Sequence, residues 1–438
     1  MILVLIVSLL SILGMIALIL FWPSFEIKGH HFQTFYFAPL FGAIVLLACQ
    51  ALPWSSLWEA FSSNGPMNPL KILILFLSMS ALSLILDEAG LFSFLAELAL
   101  KKGGKSQMRM FLTVYLVTSL LTVFTSNDVI ILTFTPFLLS YCKKAKISPI
   151  PYLVEEFAAA NTFSMVLLIG NPTNIYLSSV AGIDFLSYFK TMILPSLLAG
   201  GVTLLILFLL CHKELRTPLF EADVHPVLKN KPLAIFGLVS LGCATILLSL
   251  SNFLHFEMYL VSLSFALLSL LFALIQGIVR HHKKEEESFS PFLRSLKRIP
   301  YALIPFLLSM FVLVLSLQEV GIPQELASFF SRFDPIWGYG ISSYLCCNLT
   351  NNIPMSVLYG EIIPFAEERI QTKAYYASIV GSNLGAILTP IGALAGIMWM
   401  SLLKEKGVKY SFFDFFWRGA LVSLPSLAAA LLGLMIIR

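Results

Sequence analysis

Long apolar stretches separated by short polar segments dominate this chain. A helix needs about 20 mainly apolar residues to cross the hydrocarbon core of a bilayer, and stretches of that length recur along the sequence. We predict membrane spans at 2–22, 34–52, 70–89, 151–182, 184–211, 232–251, 258–278, 299–318, 373–402 and 412–437. Two of these, 151–182 and 373–402, are longer than one span requires and contain Gly, Asn and Pro, so we expect broken helices there.

Two further apolar stretches are each interrupted mid-way by a short polar segment. The two segments are Thr125-Ser126-Asn127-Asp128 and Leu349-Thr350-Asn351-Asn352-Ile353-Pro354. Lipid tolerates broken backbone only where protein or a water-filled cavity covers it. Paired breaks in the two halves of a membrane protein point to the binding site of a transporter. We therefore predict two re-entrant hairpins, at 108–142 and 335–370.

The charges of the loops orient the predicted spans, because Lys and Arg accumulate on the cytoplasmic side. The basic loops lie at 101–109, 143–146, 213–231, 280–298 and 404–409, and the poorly basic loops lie at 53–69, 252–257 and 319–335. This pattern places the ends of the first hairpin inside, the ends of the second hairpin outside and both termini outside. We interpret the charged run 281–287 as a solvated linker and not as a metal site.

The order of predicted segments recurs along the chain. Residues 34–211 and 258–437 each contain a span, a second span, a short amphipathic piece, a hairpin, a broken span and a final span. The first spans of the two parts start on opposite sides of the membrane, so we predict an all-α membrane protein with an inverted repeat. Residues 1–33 then form an extra N-terminal transmembrane helix, and 212–257 form a linking loop with another extra helix.

The composition excludes several classes of protein. With 58% hydrophobic and 12% charged residues, this is not a soluble globular chain. The net charge of +4 lies on no basic face, so we expect no nucleic-acid partner. The sequence shows no nucleophile–base pair, His cluster or phosphate loop, so we do not expect an enzyme. The first span lacks the basic start and cleavage site of a signal peptide.

Each break can begin a new half-helix. Ser126 or Asn127 can cap a helix that runs from Asp128, and Asn352 can cap one that holds Pro354 in its early turn. Likewise Asn171 precedes Pro172 and Thr389 precedes Pro390, and a polar cap followed by Pro is a typical helix start. Four half-helix ends would then meet near the midplane and supply N–H groups and unwound carbonyls to a solute or ion.

These considerations define a candidate substrate and ion site. Its predicted residues are Thr125, Ser126, Asn127, Asp128, Asn161, Gly170, Asn171, Pro172, Thr173, Asn174, Thr350, Asn351, Asn352, Pro354, Ser382, Asn383, Thr389 and Pro390. The candidate ligands for Na⁺ are the oxygens of Ser126, Asn127, Thr350 and Asn351. We expect no cofactor beyond the coupling ion, H⁺ or Na⁺.

The acidic residues receive different predictions. Asp128 is a candidate for binding the coupling proton or Na⁺, and the alternative is a carboxylate that only stabilises its own helix dipole. For Asp87 and Glu88, at a cytoplasmic span end, we expect interface solvation. For Glu155 and Glu156 we expect solvation or a local pair with the lysines at 143–146.

The paired thiols Cys346 and Cys347 approach the second break. They could meet a thiophilic metalloid, but we expect ordinary packing.

The motifs of this chain resemble the ArsB/NhaD branch of the ion transporter superfamily over nearly its whole length. The pieces that carry the resemblance are 83–90, Ser126-Asn127-Asp128 with 132–136, 350–355, 381–385, 389–394 and Trp399. The last pieces, followed by 404–408, look most like arsenical pump membrane proteins. The resemblance implies a scaffold domain and a mobile transport domain that holds both hairpins, as in an elevator-type transporter.

Two departures from the arsenite pumps keep other substrates open. Residues 169–174 are closer to an element of the dicarboxylate and citrate carriers. Asn161 stands where arsenite pumps tend to carry an acidic residue, which leaves Na⁺ or anion coupling open.

The leading functional hypothesis is ion-coupled efflux of arsenite or antimonite. The alternatives are a Na⁺-coupled carrier for citrate, dicarboxylate or another anion, and a Na⁺/H⁺ antiporter. The expected partners are a small inorganic or organic solute and membrane lipid, with a homodimer and an ArsA-type ATPase left open. The expected location is the cell membrane, which the chain crosses several times.

Overall fold

The computed structural model describes residues 1–437 except 23, 28–29, 64–67, 104–105, 217–226, 251–253, 255 and 285–287. Parts of the predicted loops 53–69, 101–109, 213–231 and 252–257 and of the predicted linker 281–287 therefore lie outside the described residues. The regular secondary structure of the described residues is helical, apart from one antiparallel hairpin of β1 (Ser24–Ile27) and β2 (His30–Gln33) in which Phe25 pairs with Phe32.

The first half of the chain contains the helices α1 (Ile2–Phe21), α2 (Phe37–Ala48), α3 (Trp54–Ser62), α4 (Pro69–Glu88), α5 (Leu91–Gly103), α6 (Gln107–Phe124), α7 (Asn127–Ala145), α8 (Ile150–Phe163), α9 (Pro172–Val180) and α10 (Phe185–Cys211). The second half contains α11 (Lys231–Ser249), α12 (Met258–His282), α13 (Ser290–Arg298), α14 (Leu303–Glu319), α15 (Ile322–Phe330), α16 (Pro335–Thr350), α17 (Asn352–Ile362), α18 (Glu368–Gly385), α19 (Leu394–Glu405) and α20 (Phe412–Ile436).

Eight helical stretches of the described residues are long and apolar enough to cross a membrane. By length and composition, these stretches indicate a multi-pass membrane protein. Seven of the eight coincide with α1, α4, α6, α10, α11, α12 and α20. The eighth, Ser290–Glu319, comprises α13 and α14 and is interrupted between them at 299–302.

Two short helices and one short span differ from the sequence predictions. α3 and α13 lie where we expected loops, because each is an amphipathic helix of only 9 residues whose pattern is too short to stand out. α2 has 12 residues, fewer than the predicted span 34–52. With α3 and α13 included, the order of α2–α10 recurs in α12–α20: long or apolar helix, short helix, span, short helix, two-helix hairpin, broken helix, final span.

Several helices begin at polar caps that the sequence encodes locally. Asn68 accepts hydrogen bonds from the backbone N–H of Leu70 at 2.8 Å, and Pro69 then occupies the first position of α4. Ser411 and Asp414 form a reciprocal capping box at the start of α20. A side-chain acceptor at this position satisfies backbone donors that have no partner inside the helix.

Contacts between the two halves follow a matched pattern. α2 packs on α14 and α4 packs on α12, while α10 packs along α20. α7 contacts α19, and α17 contacts α9. The largest apolar cluster includes the hairpins, the broken helices and α10, whereas a second cluster joins α1, α2, α4 and α14 and reaches Ile353 and Ile391. The candidate site therefore lies where these two apolar clusters meet.

Candidate substrate and coupling site

The first hairpin turns at Thr125 and Ser126, between α6 and α7. Ser126 occupies the cap position of α7 with extended backbone, φ −99° and ψ 140°, but its side chain makes no capping hydrogen bond. Asn127, the first helical residue, donates from Nδ2 to Oδ1 of Asn161 at 3.0 Å. Ser126 Oγ and Asn127 Oδ1 are buried and have no hydrogen-bond partner in the described part of the chain. Our prediction that Ser126 or Asn127 caps this helix is therefore wrong.

The second hairpin turns at a single residue, Asn351, between α16 and α17. Its backbone has φ 75° and ψ 156°, a conformation that L-residues rarely adopt. Its Oδ1 accepts from the N–H of Ile353 at 3.4 Å, and its Nδ2 donates to the carbonyl of Ile391 at 3.0 Å. The cap of α17 is therefore Asn351 and not Asn352, because only Asn351 stands before the first helical residue. Asn352 is buried in the first turn, just ahead of Pro354.

Hydrogen bonds join the residues around the second break to the broken helix that follows it, α18 and the turn after it. Thr350 turns back on α16 and donates to the carbonyl of Cys346 at 3.0 Å. Asn348 donates to the carbonyl of Gly385 at 2.9 Å and accepts from Thr389 Oγ1 at 2.6 Å. The Thr389 side chain is thus occupied by Asn348 and does not cap a helix.

The two broken helices restart in different ways. Asn171 caps α9 as predicted, since its Oδ1 accepts from the N–H of Thr173 at 3.2 Å, and Pro172 follows at the first helical position. After α18 the chain makes only a 3₁₀ turn, Pro390–Gly392, and α19 begins at Leu394. The prediction that a half-helix starts directly after Thr389 is therefore wrong by one turn.

Asn383 links the two broken helices across the sequence. Its Oδ1 accepts from Ser164 Oγ at 2.8 Å and from Asn171 Nδ2 at 3.0 Å. Its Nδ2 donates to Asn174 Oδ1 at 2.7 Å and to the carbonyl of Ile379 at 2.8 Å. All of these groups are buried, so this network is satisfied without solvent.

A second hydrogen bond supports the same junction. Ser382 Oγ donates to Thr173 Oγ1 at 3.0 Å, and Thr173 Oγ1 donates to Asn171 Oδ1 at 3.1 Å. Gly170 precedes these residues at a point where a side chain would collide with the backbone carbonyl of Ser164. The polar residues of the two broken spans therefore form one packed unit.

Asn161 and Asn383 occupy equivalent places in α8 and α18. Each donates from Nδ2 to the carbonyl one turn earlier, Asn161 to Phe157 at 2.9 Å and Asn383 to Ile379 at 2.8 Å. This match gives the register between the two halves. Within it, Glu155 and Glu156 correspond to Ala377 and Ser378.

A small cleft lies beside the first tip. Its lining residues are Phe76, Met79, Ser80, Ser83, Thr125, Ser126, Ile169, Pro172 and Ile175. Asp128 follows the tip and is half-buried, and its carboxylate makes no hydrogen bond or ion pair with the described residues. The first tip thus offers a carboxylate, a hydroxyl and an amide oxygen that no described side chain satisfies.

The predicted site residues fall into separate groups. Asn127 and Asn161 meet at the first tip, and the residues of the two broken spans meet around Asn383. Asn351, Thr350 and Thr389 form hydrogen bonds within the second half. No hydrogen bond described for either tip joins Ser126 or Asn127 to Thr350 or Asn351, so a shared Na⁺ site of these four residues stays a prediction.

Two acidic pairs differ from expectation. Glu155 and Glu156 are completely buried, so the expected solvation is wrong. The flanking lysines suggested a span end, but α8 begins five residues before Glu155, and α6, α7 and α10 cover it. Asp87 and Glu88 each form an ion pair with Arg298 at 2.6 Å, so this pair is held by α13 rather than solvated alone.

Asn348 belongs to the hydrogen-bond network of the second tip, and sequence analysis missed it. It lies within one helical turn of the polar segment 349–354 and on the arm that approaches α18. Helical spacing from Asn351 or Asn352 could have indicated it.

Comparison with known proteins identifies the family. Residues 34–374 match the model of the citrate transporter family, CitMHS. The chain belongs to this family. It is a permease of the ArsB/citrate type within the ion transporter superfamily, as the resemblance predicted, and the family and its relatives are membrane transporters rather than enzymes.

Several relatives cover most of the chain. The arsenical pump membrane protein of Escherichia coli K12 is 26% identical over an alignment of 395 positions, and the match covers 87% of each chain. The putative arsenical pump membrane protein of Bacillus subtilis 168 is 24% identical and covers 83% of this chain and 86% of its own. The 46 kDa membrane protein of Mycobacterium leprae is 24% identical, and the match covers 90% of this chain and 91% of that protein.

Two solved transporters share the fold. The YdaH transporter of Alcanivorax borkumensis superposes with a TM-score of 0.57 at 13% identity and covers 100% of this chain and 96% of its own. MtrF of Neisseria gonorrhoeae superposes with a TM-score of 0.52 at 15% identity, and the match covers 99% of this chain and 94% of MtrF. At these identities the likeness concerns the fold alone.

Proposed function

We propose that this chain is an ion-coupled secondary transporter that exports arsenite or antimonite. The observation that carries this proposal is the chemistry of the breaks: they supply amide and hydroxyl groups and the unpaired Asp128, but no Lys, Arg or His. The trivalent oxyacids of arsenic and antimony are uncharged trihydroxides near neutral pH. Such a solute can exchange hydrogen bonds with Asn and Ser side chains without needing a cationic partner.

The carboxylate of Asp128 and the absence of a cationic side chain at the breaks oppose an anionic substrate at the first tip. A multiply charged carboxylate near Asp128 would meet a like charge in a site of low dielectric, where repulsion is strong. The half-helix N-termini of α7, α9 and α17 would offset part of that repulsion. A Na⁺-coupled citrate or dicarboxylate carrier is therefore the second candidate, supported by the family to which the chain belongs.

We further propose that α2–α10 and α12–α20 form an inverted repeat with re-entrant hairpins. The matched order of elements supports this, as does the reciprocal packing of α2 on α14 and of α4 on α12. In this proposal the hairpins and broken helices form the moving domain. The helices α1, α2, α4 and α11–α14 form the scaffold, and α1 and α11 are extra to the repeat.

Transport assays in vesicles can separate the candidate substrates. Inside-out vesicles with the protein and vesicles without it receive arsenite, antimonite, citrate or succinate, with a proton or a Na⁺ gradient imposed separately. We expect accumulation of arsenite or antimonite. Accumulation of citrate or succinate alone would support the second candidate, and Na⁺/H⁺ exchange without any solute would indicate an antiporter.

Labelling of engineered cysteines tests the inverted repeat. The six described cysteines are free, so they are first replaced by Ser or Ala. In intact cells an impermeant reagent should label a Cys at Glu367, before α18, but not one at Lys144, at the end of α7. Labelling at Lys144 and protection at Glu367 would contradict the orientation, and equal labelling of both would contradict the inversion.

Pull-down and mass measurements address assembly. We propose a homodimer as one possible assembly, and the mass of the purified protein in detergent tests it. An ArsA-type ATPase remains a second proposed partner, and copurification of a tagged chain from a host that encodes one tests it.

A further inference from the structure

Two adjacent carboxylates lie inside the helix bundle without compensating charge. Glu155 and Glu156 of α8 are each 0% exposed. Both oxygens of Glu155 and Oε1 of Glu156 have no hydrogen-bond partner in the described part of the chain. The remaining oxygen, Oε2 of Glu156, accepts from Thr135 Oγ1 of α7 at 3.0 Å. Neither glutamate forms an ion pair with a described residue.

The groups that surround the pair are neutral ones. They are Tyr115 on α6, Tyr152 on α8 itself and Cys211 at the end of α10, all of them close to Glu155. The backbone of Tyr115 also lies close to Glu155.

The basic side chain of α20, Arg418, makes no ion pair with either glutamate. Arg418 lies over the ring of Tyr410, 5.5 Å from its centre, in a cleft that it shares with Val154 and Phe157. The charged residues of α18, among those the structure describes, make no ion pair with either carboxylate. Among the described residues, therefore, no ion pair neutralises either carboxylate.

Electrostatics excludes a pair of bare carboxylates here. Removing one ion from water costs several kcal/mol even after the protein relaxes, and a like charge beside it adds to that cost. One hydrogen bond from Thr135 contributes only about 1.5–3 kcal/mol to a charged acceptor. Each glutamate must therefore carry a proton, or lose it only while a cation is close.

The ligand that fits this place is the proton. A metal ion would need several further ligands, and the described residues contain no group of three or more His, Cys, Asp or Glu side chains suited to one. A carboxyl group that holds a proton is both a donor and an acceptor, so it can exist without a counter-ion.

The pair is not a requirement of the broken helix. In the second half, α18 has Ala377 and Ser378 at the equivalent positions, and both are buried as well. A broken helix of the same shape thus forms without any acid there. The two carboxylates therefore occur only in the first half of the chain, the half that also contains Asp128.

Two polar links connect this pair to the first tip. Asn127 of α7 bonds to Asn161 of α8 at the break, and Thr135 of α7 bonds to Glu156 of α8 further along. Eight residues of α-helix separate Asn127 from Thr135, or about 12 Å. A proton on Glu156 converts an acceptor of Thr135 into a group that can itself donate, so it changes the contact that holds α7 on α8.

We propose that Glu155 and Glu156 form a proton-binding pair that couples the proton gradient to movement of the first tip. This inference rests on the proposed transport function and specifies its coupling site. The pair takes up a proton from water on one side of the membrane and releases it to the other. Asp128 is then left to bind a second coupling ion at the first tip.

Infrared spectroscopy of the purified protein tests the pair without any transport. At about pH 7 solvated carboxyls, with pKa values of about 4, are ionised, so the C=O stretching band of protonated carboxyls arises from shielded groups. We expect Glu155→Gln and Glu156→Gln each to remove part of this band. Glu405→Gln, on an exposed side chain, is the matched control and should leave the band unchanged.

Transport assays then connect the pair to coupling. Gln has the shape of a protonated Glu, so we expect both variants to insert in the membrane in normal amounts. Uphill transport driven by a proton gradient should be lost, while exchange of labelled for unlabelled solute at equal concentrations persists. Glu155→Asp should recover part of the uphill transport with a shifted pH dependence.

The possible outcomes separate the inference from the proposed function. An unchanged carboxyl band in both Gln variants would overturn the proton pair, whatever the protein transports. A reduced band with normal proton-driven uphill transport would overturn its coupling role. If a variant does not accumulate, the carboxyl band of the wild-type protein in D₂O decides: complete absence of a shielded band contradicts the pair.

Discussion

The two hairpin tips are built from similar residues but differ in how their polar atoms are satisfied. Thr125 follows the last residue of the first arm at one tip and Thr350 is that last residue at the other, and Asn127 and Asn352 begin the second arms. At the second tip, the side chain of the intervening Asn351 both caps α17 and reaches the backbone of Ile391. At the first tip, Ser126 makes no capping bond. Both tips are therefore attached to their own broken helices, but the first tip, held by the bond from Asn127 to Asn161, leaves Ser126 Oγ and Asn127 Oδ1 without a partner among the described residues.

The arms of the two hairpins also pack differently. Gly381 and Gly385 of α18 lie against the backbone of α16, where a side chain on either would collide with Gly340 and Tyr344 or their neighbours. Small residues four apart let two helices approach closely in membranes. The equivalent positions of α8 are Ala159 and Phe163. The second hairpin and α18 therefore form one tightly packed element. The first hairpin lacks these glycines and packs on α8 through side chains.

The largest effect is expected at the acidic residue that only the first tip has. Asp128→Asn should abolish uphill transport while exchange persists, because Asn keeps the size of Asp but not its charge. Asn caps or begins a helix about as well as Asp, so we expect normal amounts of protein in the membrane. Uphill and exchange fluxes in vesicles measure this. Wild-type uphill transport with unchanged pH and Na⁺ dependence would remove Asp128 from the mechanism.

Breaking the junction of the two broken helices should cost the most stability. Asn383→Ala leaves Asn171 and Asn174 with buried groups unpaired, and we expect a loss of about 2–4 kcal/mol in the free energy of unfolding. Thermal unfolding in detergent measures this loss. Ser382→Ala removes a single hydrogen bond and should cost about 1 kcal/mol. Equal losses in the two variants would contradict the central position of Asn383.

The close packing of α16 on α18 can be tested with a methyl group. Gly381→Ala should lower stability by about 1–3 kcal/mol because the new side chain overlaps Ser343 and the backbone of Gly340. Gly201→Ala in α10 is the control, since an added Cβ there meets no atom within 4 Å. Thermal unfolding of both variants is the measurement. Similar stability in both would show that α16 and α18 do not depend on this approach.

Replacing the first residue of α7 and the first residue of α17 by alanine should have different effects. Asn127→Ala removes the bond to Asn161, so we expect a stability loss of about 1–2 kcal/mol together with strongly reduced transport. Asn352→Ala removes no described side-chain hydrogen bond and should lower transport with a smaller loss of stability. Flux and unfolding temperature of the two variants are compared directly. Full activity in both would assign the tips a purely structural role.

The smallest change in stability is expected at the turn of the first tip, and the turn of the second tip provides the comparison. Ser126→Ala should leave stability within about 0.5 kcal/mol, since its hydroxyl has no described partner, while solute affinity falls. Asn351→Ala should cost about 1–2 kcal/mol through loss of a cap. Asn351→Gly should lose less, because glycine accepts the positive φ of this turn. A cost at Ser126 equal to that at Asn351 would erase the difference between the tips.

Local features of this protein could be predicted from its sequence. The apolar stretches, the two hairpin breaks and the Asn171 cap before Pro172 depend on residues that are neighbours in the chain, so their pattern is visible there. Short amphipathic helices such as α3 and α13 were missed because 9 residues hold too few turns for a clear period. The cap of α17 was displaced by one residue, since two adjacent Asn offer the same chemistry.

The sequence by itself determined that this chain spans a membrane, where its helices break and which residue types the breaks present. Only the tertiary structure decided which of those residues meet. Asn383 bonds to Ser164, 219 positions away, and to Asn171, 212 positions away, a contact that no local pattern encodes. We predicted that Glu155 and Glu156 are solvated because lysines precede them, but helices from other parts of the sequence enclose both. Burial is a property of all the helices packed around a residue, and that packing is set by contacts between segments far apart in the chain.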